Sequence, residues 1–396
     1  MSIEASPIRQ PVATEPSRGL VLAMACAAGA AVANIYYNQP MLGIMQRDLG
    51  PGMTAMVPTV TQLGYALGLL LLVPLGDIVP RRKLIVAQFV ALAVGLGAIA
   101  AAPTGATVVL ASLLVGLLAT AAQQIVPFAA HLATSERRGA VVGTVMSGLL
   151  AGILLSRTVA GIVADAAGWR EMYVIGVLVA LAAAVVMAMR LPFEPVQPGL
   201  RYLPLIRSLE TIWRAHPVLR HAAATQALLF AAFSAFWTVL VLRLSEPAFG
   251  LGAGAAGLFG LIGVAGVVAA PLAGKTADRH GPERVVLAGA ALTLLSWVIF
   301  GTWTSLAGLV AGVIVLDFAV QGALVSNQHI IFALGADIRA RVTTLFMGTM
   351  FLGGALGSAV GSLAYHAAGW SAVCLAGVVL SGIATLMQIR RGTTGR

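Results

Sequence analysis

Charge is what this chain has least of. Asp, Glu, Lys and Arg make up 10% of its 396 residues, against 59% hydrophobic ones. A water-soluble protein of this length needs far more charge at its surface, so lipid must be the solvent for most of the chain. Cysteine is nearly absent. Cys26 and Cys374 each lie inside an apolar run, which excludes a disulfide framework and reads as two inert core thiols. Acidic residues are outnumbered 14 to 24, for a net charge of +10. In a soluble chain that excess would suggest nucleic acid. Here the cations sit in short loops between apolar runs, so they indicate membrane topology, and no nucleic-acid partner is expected. The sequence also lacks paired carboxylates, an H-x-x-x-H spacing and a reactive-looking cysteine at membrane depth. An enzyme, a metal site and a cofactor are therefore not expected. No attached soluble domain points to a sensor or scaffold.

What the chain does have is long apolar runs. Twelve of them reach the roughly 17–25 residues that a spanning helix needs. Their cores are 19–43, 56–76, 84–102, 106–130, 139–163 and 169–191, then 219–244, 253–273, 285–303, 306–333, 341–363 and 370–389. Helices are the only candidate, because lipid offers backbone polar groups no partner and the runs are too long for barrel strands. Residues 1–18 are polar, and the first run is too long for a signal-peptide core, so it reads as a retained helix. With the N-terminus inside, 20 of the 24 Lys and Arg fall on the cytoplasmic side; Arg47, Arg170 and Arg243 fall outside and Arg157 within a helix. Both termini are accordingly expected in the cytoplasm of a bacterial cell, with the chain in its inner membrane.

The sequence repeats itself. The loop Val73–Lys83 (VPLGDIVPRRK) has a counterpart at Gly274–Arg284 (GKTADRHGPER), and aligning Asp77 with Asp278 gives an offset of 201 residues. The same offset carries Trp169 onto Trp370, and Glu136, Arg138 and Met146 onto Asp337, Arg339 and Met347. The expected fold is therefore an all-α membrane protein, its twelve transmembrane helices forming two pseudo-symmetric six-helix bundles, 19–191 and 219–389. Short cytoplasmic tails, 1–18 and 390–396, flank them. A cytoplasmic linker, 192–218, joins the bundles. It begins with Pro192, Pro195 and Pro198, then carries Ile206, Leu209, Ile212 and Trp213 at helical spacing between Arg207 and Arg214. This reads as an amphipathic helix on the inner leaflet or as a plain tether. Gly148-xxx-Gly152 and Gly353-xxx-Gly357 mark places where helix backbones approach closely. Gly252-Ala-Gly254-Ala-Ala-Gly257 fits a dinucleotide fingerprint only as text, since it follows no strand.

The paired loops resemble those of the major facilitator superfamily, whose pattern is G-x-x-x-D-R-x-G-R-R/K. The first copy keeps Asp77, Arg81 and Arg82; the second keeps Gly274, Asp278, Arg279 and Gly281, with Arg284 one place late. Within that family the chain is similar to the small bacterial exporters of drugs or sugars driven by protons. The resemblance implies that Asp77 caps the helix beginning near Arg341, and Asp278 the one beginning near Gly139, when the cytoplasmic side closes. Asp77, Arg81, Arg82, Asp278 and Arg279 would then act as cytoplasmic gating residues. The fifth helix departs from the exporters. Where proton antiporters often have G-P-x-x-G-G, this chain has Ser156-Arg157-Thr158-Val159-Ala160-Gly161.

Polar residues within the helices mark the site candidates. Asn34, Tyr37 and Asn38 at i, i+3, i+4 would share one face of the first helix. The resemblance implies that the first, fourth, seventh and tenth helices line the cavity, which adds Gln123, Gln124, Trp237 and Gln321 as substrate contacts. Asp317 is the one carboxylate near mid-membrane, about 12 residues and roughly 18 Å into its helix. Ionised, it costs on the order of 2.5–3.5 kcal/mol there, so it has a partner, faces water or carries a proton. Asp317 and Arg157 are the proton-coupling candidates. The expectation is a monomeric secondary transporter exporting a small organic molecule by proton antiport. The alternative is uptake or facilitated passage of an anionic solute steered by Arg157.

Overall fold

A computed structural model describes residues 16–193 and 201–394 of the chain. The tail 1–15 and the linker prolines Pro195 and Pro198 lie outside the described residues. Regular structure among the described residues is entirely helical. Eleven apolar helical segments are long enough to cross a membrane. In order they are Arg18–Leu49, Pro51–Asp77, Arg81–Ala100, Gly105–Leu132, Arg138–Ala166, Trp169–Arg190, Pro217–Leu244, Ala253–His280, Pro282–Thr302, Leu306–Phe332 and Arg339–Arg391. The last, 53 residues long, breaks at Ala368 and at Gly369 (φ 67), a left-handed conformation that suits glycine. It is two spans, 339–367 and 370–391, making twelve in all. An even number of crossings leaves both termini on one side, the terminal side; the other is the far side.

Apolar side chains face outward around the bundle, as lipid allows and water would not. Val94, Leu110, Leu178 and Leu363 are each more than 60% exposed. Cys26 corrects the sequence reading: it is exposed, and only Cys374 is a buried thiol. An apolar run does not reveal which face meets lipid, and Cys26 lies on that face. Neither cysteine is in a disulfide.

Small residues set the packing inside each half. At Gly148 and Gly152 of the fifth span, a Cβ would collide with the backbone of Ala25 and Gly29 in the first. At Gly353 and Gly357 of the eleventh, it would collide with Ala227 and Ala231 in the seventh. Both glycine pairs picked out in the sequence thus mark backbone-to-backbone contacts.

The halves meet across two crossings related by the repeat, fifth with eighth and second with eleventh. At the first, Gly161 packs against Ala253 and Gly257. At the second, Gln62 Nε2 donates to Ser358 Oγ at 2.7 Å, and Ser358 is the 201-residue partner of Arg157. The spans separate towards the terminal side. Gly139 and Gly143 on the fifth span, and Gly274 on the eighth, would have nothing within 4 Å of an added Cβ. A cavity of about 280 Å³ opens there between the halves, lined by Leu69, Val73, Gln123, Gln124, Thr344 and Met347 among others.

The linker forms a helix over Tyr202–Ala215. Its apolar face does not rest on lipid alone. Leu209 and Ile212 are buried against Leu219, Ile331, Val342 and Phe346, and Tyr202 Oη donates to the Leu71 carbonyl at 2.9 Å. The second half supplies an apolar surface that those side chains cover, while Arg207 and Arg214 stay exposed.

Candidate functional site

Pro40 shapes the first part of the site. It lacks the N–H that would bond the Tyr36 carbonyl, and the first span opens into a turn over residues 34–37 before continuing as Asn38–Leu49. That turn displaces the second part of the helix from the register of the first. Tyr36 and Gln39 then both reach the fifth span.

They meet Arg157 there. Among the described residues, Arg157 and Asp317 are the two buried side chains of the Arg, Lys, Asp and Glu types, 3% and 6% exposed. Arg157 Nε donates to Gln39 Oε1 at 2.7 Å. Its guanidinium carbon lies 4.5 Å from the Tyr36 ring centroid, 4.2 Å from that of Trp237 and 5.9 Å from that of Phe233. A guanidinium is weakly hydrated and planar, so stacking on rings replaces part of its lost water. Trp237 connects the two charges. Its ring lies under Arg157, and its Nε1–H donates to Asp317 Oδ1 at 3.4 Å. Arg157 Nη2, although buried, has no hydrogen-bond partner. The first and fifth spans of one half and the seventh and tenth of the other thus converge on one cation, one carboxylate and an indole between them.

The remaining cavity candidates divide into groups. Asn34 and Tyr37 face the sixth span inside the first half, near Gly176, with Tyr37 edge-on to Tyr173 at 6.5 Å. Asn38 turns to the second span and donates to Thr61 Oγ1 at 3.3 Å. The three therefore do not share one face, because the turn before Pro40 breaks the spacing that would align them. Gln123 and Gln124 do line the terminal-side cavity. Gln123 Nε2 donates to Tyr65 Oη at 3.1 Å, and Gln124 Nε2 to the Leu72 carbonyl at 2.8 Å. Gln321 is half-buried, its Cβ near Gly266 of the eighth span.

The loop charges are on the terminal side and do not bridge the halves. Asp77 accepts from Arg81 at 3.5 Å and is half exposed. It and Arg341 line the same cavity, one from each half. Arg82 bonds the Ala188 carbonyl of the sixth span. Asp278 lies 3.8 Å from His329, and Arg279 is exposed. Among the described residues the caps that the resemblance implies are not made, and the halves stand apart on the terminal side. Sequence reasoning missed Tyr36, Gln39 and Phe233. A proline one turn after an aromatic pair was the available signal for the first two.

A twelve-span bundle of two repeated halves, with buried charges where they meet, defines a multi-pass membrane transporter. The chain matches the Major Facilitator Superfamily over residues 24–269 and 222–392, and it belongs to that family. It is 40% identical to the uncharacterized transporter YgaY of Escherichia coli O157:H7, over 95% of this chain and 96% of that one. It is 36% identical to the probable transporter SCO4007 of Streptomyces coelicolor, over 91% and 85%. Among solved structures it shares its fold with a bacterial homologue of the human lysosomal transporter Spinster in the inward-facing, occupied conformation. The TM-score is 0.74 at 13% identity, covering 96% of this chain and 98% of that one. The protein is a transporter and not an enzyme.

Proposed function

We propose that the protein exports a small organic molecule by alternating access, driven by protons entering in exchange. The terminal side is the cytoplasm of a bacterial cell, and the membrane is the inner one. The observation that carries the reading is the convergence of Arg157, Trp237 and Asp317 at the seam between the halves. Asp317 accepts from Trp237 of its own half, and that ring stacks on Arg157 of the other, so the surroundings of the carboxylate change whenever the halves move, which is what coupling a proton to a conformational change requires. The cavity on the terminal side, lined mainly by apolar groups with two amides and the charged side chains of Asp77, Arg81 and Arg341, suits an amphipathic solute loaded from the cytoplasm. A proton crossing 100 mV releases roughly 2.3 kcal/mol and one pH unit adds about 1.4, together enough for a substrate gradient of order 500-fold.

The test is transport by inverted vesicles against a compound panel, with and without a protonophore. Asp317→Asn is expected to bind substrate and to exchange it downhill, but to lose pH-driven accumulation. Full proton-driven transport by that variant would remove Asp317 from the mechanism. One observation favours a second reading, passage of an anionic solute without proton coupling. The unpartnered Arg157 Nη2 could take a carboxylate. In that case transport would ignore the protonophore and would fail for Arg157→Gln on anionic compounds alone.

A further inference from the structure

The eighth span begins without a cap of its own. Its N-cap position is Gly252, which has no side chain to accept from the first N–H groups of the helix. The acceptor comes from the other half of the molecule. Asp165, in the last turn of the fifth span, takes the Ala253 N–H on Oδ1 at 3.2 Å and the Gly254 N–H on Oδ2 at 2.6 Å. One carboxylate thus satisfies two open donors and sets a full negative charge at the positive end of a helix dipole. The glycines there have a steric reason. A Cβ at Gly254 would fall 2.7 Å from Asp165 Oδ2, and one at Gly257 would meet the Arg157 carbonyl. The glycine-rich string that mimics a nucleotide motif is the imprint of the fifth span on the eighth. One turn deeper, Thr158 Oγ1 donates to the Gly257 carbonyl at 3.0 Å.

We infer that Asp165 is the latch of the far side: a carboxylate of one half that caps a helix of the other and must release it each time that side opens. The role belongs to the movement of the halves and stands whatever the solute or coupling ion. It is also one-sided. The 201-residue partner of Asp165 is His366, exposed and edge-on to Tyr365, and the second span begins after Gly50 with no side-chain cap. Among the described residues, of the two crossings only the fifth–eighth one carries a carboxylate cap at its far end.

The test reads access from the far side and not transport. In full-length protein carrying Cys26→Ser and Cys374→Ala, Ala256→Cys places a thiol at the buried crossing, where Ala256 is 3% exposed. Its reaction with a membrane-impermeant thiol reagent, applied from the far side of oriented vesicles, reports how often that side opens. Asp165→Asn is expected to raise the labelling rate about two- to fivefold, the ratio that a carboxylate at a helix N-terminus is worth. Asp165→Glu, which keeps the charge, brings the rate back towards that of the parent. An unchanged rate in Asp165→Asn, or an equal rise in Asp165→Asn and Asp165→Glu, overturns the assignment. Asp165 is exposed at a helix end, so neither change threatens the fold.

Discussion

Arg157 is the residue on which the most interactions depend. A guanidinium in a bilayer needs either water or a substitute for it, and this one has an amide and three rings. Lysine cannot use the same surroundings, because an ammonium is a compact, strongly hydrated charge without a face to stack. Arg157→Lys should therefore destabilise the protein more than Arg157→Met, which removes the charge and keeps most of the volume. The difference should be about 1–2 kcal/mol, the scale of a desolvated cation–π contact. Thermal unfolding in detergent measures it, and equal melting of Arg157→Lys and the parent protein would contradict the cage. At this scale the sequence showed the charges and not their company. Arg157 and Asp317 stood out as costly groups in apolar runs. Trp237 was marked as a cavity residue, but its position against both of them is a tertiary fact that spacing cannot supply. Tyr36 and Gln39 lie off the face that the i, i+3, i+4 spacing of Asn34, Tyr37 and Asn38 selects, and it is the turn at 34–37 that brings them to Arg157.

The spans themselves were legible, because hydrophobic length and backbone satisfaction in lipid leave little choice of structure. The junction at Gly369 falls in the gap between the runs 341–363 and 370–389, where the sequence puts it. The turn at 34–37 was not legible, because it depends on local hydrogen bonding that hydropathy does not record. The glycine pairs were legible for a physical reason: without a strong hydrophobic drive between helices in lipid, close backbone contact is a main source of association. A contrast within the fifth span tests this. Gly152→Leu places a side chain into the backbone of Gly29 and should cost about 1–3 kcal/mol or prevent folding. Gly139→Leu, on the same span with open space around it, should leave expression and melting nearly unchanged. If both variants behaved alike, the contact between the first and fifth spans would not be tight.

For the whole molecule, the repeat and the cation bias together predict the sidedness. With the native thiols replaced, a cysteine at Thr104 on the far side should react with impermeant reagents added outside intact cells. One at His280 on the terminal side should not. Reversed labelling would invert the topology and with it the export direction proposed above. The offset of 201 residues makes the two-fold organisation visible in the sequence itself. The proposals made above rest on departures from that symmetry: Arg157 against Ser358, Asp165 against His366. A repeat shows where two halves correspond and cannot show what each has lost.

The glycine seam between the first and fifth spans has a mechanical consequence. Side chains absorb small displacements by changing rotamer, and a backbone-to-backbone contact has none to change. On the terminal side of the turn at 34–37 the first and fifth spans are thus coupled as one stiff unit, with Tyr36 and Arg157 at its inner end. A rigid-body shift of the first half away from Trp237 would swing the terminal ends of both spans together. Separation of the halves at the buried cation would then be felt at the terminal-side mouth.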